Sequence, residues 1–135
     1  MRKYPLITLL TLFTTTAMAQ LPVSTTPSNK NVVLEEFTGI YCVYCPDGHK
    51  IGNDLAKAND GKIFLINIHS GGYATPSATY PLDLRTTVGT TIDGASGISG
   101  YPAGSVNRVK SPWASNRGAW ASEAAAVLAQ PSPVN

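Results

Sequence analysis

The chain contains two cysteines, Cys42 and Cys45, which stand three positions apart. A structural disulfide framework usually has more pairs at wider spacing, and a structural zinc site usually needs four soft or imidazole ligands. A Cys-x-x-Cys pair suits a dithiol that opens and closes a small disulfide ring. The sequence therefore predicts a redox-active pair; a permanent disulfide and two buried thiols are the alternatives.

The segments on either side of the pair predict how it is positioned. Residues 32–37 (VVLEEF) have the apolar character of a buried strand, and residues 45–58 have the pattern of a helix with Pro46 in its first turn. A cysteine at a strand-to-helix junction is reached by solvent, and the helix N-terminus favours its thiolate. We therefore expect Cys42 to be the attacking thiol and Cys45 to resolve the mixed disulfide.

The rest of the chain predicts further elements of a small α/β domain over residues 31–130. The apolar run at residues 62–69 predicts a second strand, and a helix between two strands makes them a parallel pair. A weak helix is expected within residues 84–98, a short strand at residues 103–109 and a closing helix within residues 113–129.

The first residues have the pattern of a secretory signal peptide. Arg2 and Lys3 precede a short apolar stretch, and residues 17–19 (AMA) match a small-x-small cleavage site. We expect residues 1–19 to be removed and the protein to be periplasmic, outer-membrane-associated or extracellular, where a disulfide persists. The apolar stretch is too short to cross a membrane, so no transmembrane span is expected in the mature chain.

Charge and composition limit the partners of the remaining chain. The full sequence has ten Lys and Arg against eight Asp and Glu, and loss of the signal residues Arg2 and Lys3 leaves the two signs equal. We therefore expect no nucleic-acid partner. Residues 20–30, rich in Pro, Ser and Thr, predict a flexible leader, and residues 131–135 resemble the start of a linker at the end of a fragment.

The cysteine segment also resembles a known family. Residues 33–45 resemble the active-site strand and loop of the thioredoxin superfamily, and residues 100–102 (GYP) stand where that fold places its cis-proline. The chain is more similar still to the outer-membrane-protein-twenty-eight-related family, which comprises thioredoxin-like surface or outer-membrane proteins of Gram-negative bacteria. Three strings carry this likeness: LEEFTG (34–39), CPDG (45–48) and GYPAGSVNR (100–108).

This resemblance implies a reduced thioredoxin-like α/β fold, with a central, mostly parallel sheet and helices on both faces. It implies that Cys42 is the nucleophile and Cys45 the resolving thiol. Pro102 would be a cis-proline beside the disulfide, and Tyr101 would offer backbone groups to a substrate strand. Glu36 falls where thioredoxins keep a buried acid that assists proton movement, which requires a raised pKa. The alternative for Glu36 is a strand-edge carboxylate in water.

The chain also departs from thioredoxins. Tyr41 replaces the usual Trp before the first cysteine, and the intervening pair is Val43 and Tyr44, so the redox potential cannot be placed. The usual N-terminal strand and helix are missing, and residues 111–112 (SP) interrupt the final hairpin. Tyr41, Tyr44, Tyr101 and Pro102 are the predicted substrate-binding residues. Five tyrosines are candidates for an aromatic rim around the disulfide, with half-buried packing as the alternative: Tyr41, Tyr44, Tyr73, Tyr80 and Tyr101.

Other polar and aromatic residues allow weaker predictions. His49 and His69 could join the cysteines in a copper or zinc site, but a solvated histidine is commoner, so neither a metal nor another cofactor is expected. Trp113 and Trp120 are predicted core residues. Residues 107–108 (NR) are expected to make structural hydrogen bonds rather than bind a carboxylate.

These observations together predict a secreted thiol–disulfide oxidoreductase that acts on extracytoplasmic protein thiols and disulfides through Cys42 and Cys45. The alternative is a non-enzymatic outer-membrane or surface module, structural or interacting, that keeps the disulfide as a staple. The sequence does not distinguish reductase, oxidase and isomerase, nor does it predict the natural substrate, the oligomeric state or the mode of membrane anchoring.

Overall fold

A four-stranded sheet with three helices packed on it positions the cysteine pair. The computed structural model describes residue 24 and residues 26–134, so the predicted signal peptide at residues 1–19 lies outside the described residues. In chain order the elements are β1 (Val32–Thr38), α1 (Cys45–Ala58), β2 (Ile63–His69), a short 3-10 turn (Gly72–Ala74), α2 (Thr87–Ser96), β3 (Ala103–Val106), β4 (Ser115–Asn116) and α3 (Trp120–Leu128).

The sheet is mixed, so the prediction of a mostly parallel sheet is wrong. Its strand order is β2-β1-β3-β4. β1 and β2 are parallel, as expected for strands joined by a crossover helix. β3 runs antiparallel to β1, with Phe37 opposite Ala103 and Leu34 opposite Val106. β4 is antiparallel to β3, because the short connection between them leaves no room for a crossover. The final hairpin therefore forms, although β4 has only two residues.

Helices lie on both faces of this sheet, as predicted. Alternate residues of a strand point to opposite faces, so Leu34 and Glu36 face one side and Phe37 the other. On the Leu34 face, α1 and α3 cover a cluster of buried residues: Val32, Leu34, Ile63, Val106, Trp120, Ala124 and Val127. On the Phe37 face, Ile92 of α2 packs against a smaller cluster of Phe37, Ile68 and Ala103. This mixed α/β arrangement is compatible with a thioredoxin-like fold.

The two tryptophans have different positions. Trp120 is fully buried, and a Cβ added to Gly104 would lie 2.7 Å from the Trp120 ring, so β3 and α3 are in close contact there. Trp113 is only partly buried, and the Arg108 guanidinium lies 4.8 Å from the centre of its ring. The prediction of a second core tryptophan is therefore wrong: the chain at Trp113 is still in the surface loop that leads to β4.

Hydrogen bonds within the protein hold the turn after β3: Asn107 makes structural hydrogen bonds, as expected, whereas Arg108 binds the carboxylate of Glu35. Asn107 Nδ2 donates to the Asn31 carbonyl at 2.9 Å, and the Val33 N–H donates to Asn107 Oδ1 at 2.6 Å. Arg108 donates to both carboxylate oxygens of Glu35, at 2.7 and 2.5 Å. Glu35 thus faces away from α1. Within the described part of the chain, no helix has the length and apolar character needed to cross a membrane.

Candidate functional site

Cys42 and Cys45 form a disulfide at the N-terminus of α1. Their Cα atoms are 5.3 Å apart, which lies within the usual range for a disulfide. Cys45 is the first residue of α1, whose bounds agree with the prediction, and Cys42 lies in the turn before it. The Cys42 N–H donates to the Gly39 carbonyl at 3.0 Å, and the Cys45 N–H donates to the Cys42 carbonyl at 3.2 Å. Backbone hydrogen bonds therefore hold the ring at the helix end.

The two cysteines differ in their exposure to solvent. Cys42 is 7% exposed and Cys45 is 1% exposed, so Cys42 is the more accessible residue, as predicted. Both are nevertheless largely covered. The residues between them, Val43 and Tyr44, are 84% and 65% exposed and project into solvent. A substrate thiol would therefore reach the Cys42 sulfur beside these two side chains.

Gly48 marks the point where β1, α1 and the start of β3 meet. A Cβ added to Gly48 would lie 2.6 Å from Glu36 Oε1 and 2.9 Å from the Pro102 ring. Pro102 is buried and its peptide bond with Tyr101 is cis, as predicted. Gly48 follows Cys45 by three residues, so the acid of β1 and the proline before β3 both approach α1 about one helical turn after the second cysteine.

Glu36 is a buried acid, as predicted, rather than a strand-edge carboxylate in water. It is 1% exposed, and its Oε1 atom has no hydrogen-bond partner among the described residues. Burial raises the pKa of its carboxyl above the usual value, and the charge and hydrogen bond of His49 partly oppose this effect. The environment of Glu36 therefore suits a group that takes up and releases a proton; its catalytic role remains a prediction.

His49 is the site residue whose environment the sequence interpretation missed. Its Nδ1 atom lies 3.0 Å from Glu36 Oε2, and its Nε2 atom lies 3.3 Å from Thr38 Oγ1. Two sequence signals could have indicated this cluster: His49 lies four residues after Cys45 on one helix face, and Glu36 and Thr38 share a face of β1. No group of three His, Cys, Asp or Glu side chains arranged to hold a metal occurs within residues 26–134.

Four of the five tyrosines considered for a rim pack as two ring pairs, which a backbone hydrogen bond from the Tyr41 N–H to the Tyr73 carbonyl joins at 3.0 Å. Tyr41 packs edge-on against Tyr80 with ring centres 5.5 Å apart, and Tyr73 packs similarly against Tyr101 at 5.8 Å. The Tyr101 hydroxyl donates to Asp93 Oδ2 at 3.0 Å, which fastens the loop before β3 to α2. Burial raises the pKa of this phenol. Tyr44 stands apart, with the Arg117 guanidinium 6.0 Å from its ring centre.

The raised pKa of Glu36 leads to a prediction on stability. Because the folded protein holds this proton more tightly than the unfolded chain, stability present at low pH is lost as pH rises through the folded-state pKa. Glu36→Gln stays neutral and should avoid this loss. We therefore expect the variant to gain stability relative to the wild type as pH rises above the usual pKa of a glutamate, by about 1.4 kcal/mol for each tenfold difference in the acid constant of Glu36 between the unfolded and folded states.

Urea unfolding of both oxidised proteins at several pH values checks this expectation. A stability difference that does not change with pH would show that Glu36 has the same pKa in the folded and unfolded states. Asp54→Asn is a suitable control because the Asp54 carboxyl is exposed and its pKa is shifted in the opposite direction, downward, by its hydrogen bond with Lys50. Its stability difference should change with pH in the opposite sense.

Comparisons with known proteins give a partial likeness. No family model matches the chain, and no curated protein matches it. A solved structure that is similar is HBP35 of Porphyromonas gingivalis, with 29% sequence identity and a TM-score of 0.43. The match covers 58% of this chain and 25% of the HBP35 chain, so this chain corresponds to only a part of that protein.

Proposed function

We propose that this protein is a thiol–disulfide oxidoreductase that acts on protein thiols and disulfides through Cys42 and Cys45. The observation that carries the proposal is the placement of a closed Cys42–Cys45 ring at a helix N-terminus, one turn from a buried carboxyl with a raised pKa. The helix N-terminus favours thiolate over thiol, and the carboxyl can exchange a proton with the second sulfur.

The structure contains the oxidised form of the pair, from which a substrate can be oxidised. A substrate thiolate would attack the Cys42 sulfur, form a mixed disulfide and release Cys45 as a thiolate, which takes a proton from Glu36. A second substrate thiolate then attacks the substrate sulfur of the mixed disulfide and releases Cys42. The substrate gains a disulfide, and the protein keeps two electrons as its dithiol. Reduction of a substrate disulfide follows the same steps in reverse.

The low exposure of both cysteines favours a second candidate function, in which the disulfide is a permanent staple of a structural or interaction module. The buried Glu36 argues against this candidate, because burying a carboxyl whose Oε1 has no partner among the described residues costs stability, and a permanent disulfide has no use for it. For the cellular location we propose the periplasm or the outer membrane. Support for it comes from the signal-peptide pattern of residues 1–19 and from the family resemblance alone.

A trapping experiment tests the oxidoreductase. Reduced Cys45→Ser keeps the accessible Cys42 thiol and lacks the resolving thiol, so it should accumulate a mixed disulfide with oxidised insulin, detected by intact mass spectrometry. Cys42→Ser is the matched control, and its remaining thiol is covered, so we expect trapping at least roughly tenfold slower. The wild type should reduce insulin over many turnovers with dithiothreitol. Equal insulin reduction by the wild type and Cys42→Ser would contradict the proposal.

A further inference from the structure

His49 lies between the buried acid and the solvent. The Glu36 side chain is 1% exposed, whereas the His49 side chain is 34% exposed. One ring nitrogen, Nδ1, is 3.0 Å from Glu36 Oε2, and the other, Nε2, is 3.3 Å from the hydroxyl of buried Thr38. The imidazole therefore contacts the buried carboxyl through one nitrogen and the buried hydroxyl through the other, while about a third of the side chain is exposed to water.

The two oxygens of Glu36 have different surroundings. Oε1 is directed toward Gly48 at the base of the cysteine turn and has no hydrogen-bond partner in the described part of the chain. Oε2 is bonded to His49. A carboxyl group can accept a proton at one oxygen and release it from the other. In Glu36, Oε1 lies on the side of Gly48, one helical turn after Cys45, and Oε2 lies on the side of the imidazole.

The Thr38 hydroxyl can form a hydrogen bond with either tautomer of the His49 imidazole. When Glu36 is ionised, His49 Nδ1–H donates to the carboxylate, and the Thr38 hydroxyl can donate to the free Nε2. When Glu36 is neutral, its own O–H can donate to Nδ1, and Nε2–H can donate to the Thr38 oxygen. A hydroxyl donates or accepts equally well, so Thr38 satisfies both tautomers without movement.

We propose that His49 carries protons between Glu36 and solvent during the step in which Cys45 resolves a mixed disulfide. The inference rests on the proposed function and makes His49 a positioning and relay residue that acts through Glu36. Without such a carrier, a carboxyl with so little exposure would exchange its proton with water slowly. Burial holds the pKa of Glu36 above its usual value, which brings it closer to that of an imidazole and makes transfer between the two groups easier.

The proposed step balances when the protein reduces a substrate. The Cys45 proton passes to Glu36, and the Cys45 thiolate attacks the Cys42 sulfur. The bond between Cys42 and the substrate sulfur breaks, the ring disulfide forms, and the substrate leaves as a thiolate with the electron pair. Glu36 passes its proton from Oε2 to His49 Nδ1. His49 then loses the Nε2 proton to water once the hydrogen bond between Nε2 and the Thr38 hydroxyl opens. The reverse sequence supplies a proton to Cys45 when a substrate thiol is oxidised.

Few other charges surround the imidazole. β1 presents Glu36, since Glu35 faces the opposite side of the sheet with Arg108. β2 presents His69, whose pKa is lowered by burial and by repulsion from His49. The charged residues of α1 near His49 take part in surface ion pairs with other partners: Asp47 with Arg117, and Lys50 with Asp54. Glu36 is therefore the group that couples most directly to His49.

A single-turnover reaction separates the two chemical steps. The reduced protein, freed of reductant, is mixed with an aromatic disulfide whose halves absorb light when released as thiolates. Attack by Cys42 releases the first half, and resolution by Cys45 releases the second. In His49→Asn, the side-chain amide can still donate to Glu36 but cannot relay a proton. We expect the rate of its first phase to match the wild type and the rate of its second phase to fall at least roughly tenfold. This loss is smaller than the loss of about 10²–10⁴-fold that follows removal of a direct acid or base, because His49 acts through Glu36.

Two further variants make the outcome decisive. His69→Asn, the control at the other histidine, should keep both phases. Added imidazole should restore the second phase of His49→Ala and leave the first unchanged. Equal slowing of both phases, no rescue by imidazole, or an unchanged second phase in His49→Asn would overturn the relay while the proposed function stands. A wild type that releases no second half would instead overturn the proposed function and the relay together.

Discussion

Trp120→Ala is expected to destabilise the protein by about 3–5 kcal/mol, the usual cost of truncating a buried tryptophan. The Trp120 side chain is fully buried between α3 and β3, and Gly104 provides the space into which its ring fits. Domains of this size are stable by only about 5–15 kcal/mol, so the variant would lose a large part of that margin. Chemical unfolding of the oxidised protein, followed by circular dichroism, measures the difference.

Trp113→Ala is the matched control for this prediction. Trp113 is partly exposed and its main described contact is the Arg108 guanidinium, so its removal should cost about 1 kcal/mol or less. Similar losses for the two variants would mean that the contact between α3 and β3 is not the main packing interface. A conservative Trp120→Phe variant should recover part of the loss, because the smaller ring still fills most of the space beside Gly104.

The local pattern of the sequence was sufficient to predict the elements around the cysteines. The bounds of α1 agree with the prediction, and β1 and β2 agree to within one residue. Apolar runs and helical spacing determine these elements locally, and a crossover helix then makes the strands parallel. Pairing of β3 was not predicted, because its direction depends on how the long segment between β2 and β3 returns to the sheet. A tertiary contact also explains why α3 begins later than expected, because residues 115–116 first pair with β3 as a short strand.

The candidate site shows a similar division. The family resemblance indicated Glu36 as the buried acid, with a solvated carboxylate as the alternative, and strand alternation then placed Glu35 on the opposite face. His49 was not recognised as its partner, since the residue spacing indicates the faces of α1 and β1 but not the register of one element over the other. The tyrosine pairs also depend on tertiary contacts, notably the hydrogen bond from Tyr101 to Asp93 of α2. A sequence pattern indicates which face a residue occupies but not which residue of another element lies opposite it.

Gly48→Ala and Gly52→Ala are expected to have opposite effects on stability although both lie in α1. Alanine is favoured over glycine in a helix by about 1 kcal/mol. A Cβ at Gly52 would lie 3.5 Å or more from Leu65 and Leu34, which is ordinary contact, so Gly52→Ala should stabilise the protein. At Gly48 the Cβ would lie 2.9 Å from two atoms of the rigid Pro102 ring and 2.6 Å from Glu36 Oε1, so the helix gain should be exceeded by an overpacking cost of about 1–3 kcal/mol.

The same substitution should impair thiol–disulfide exchange, which links this packing to the proposed function. The Gly48→Ala methyl group can be accommodated only if the Glu36 carboxyl or the Pro102 ring moves away from the cysteine turn. Because a displacement of about 1 Å can cost up to about 10²-fold in rate, we expect a substantially slower reduction of insulin. Gly52→Ala should keep the wild-type rate, since its Cβ meets the leucine side chains of the core. Unchanged activity in Gly48→Ala, with the protein folded, would mean that exchange does not depend on the positions of Glu36 and Pro102.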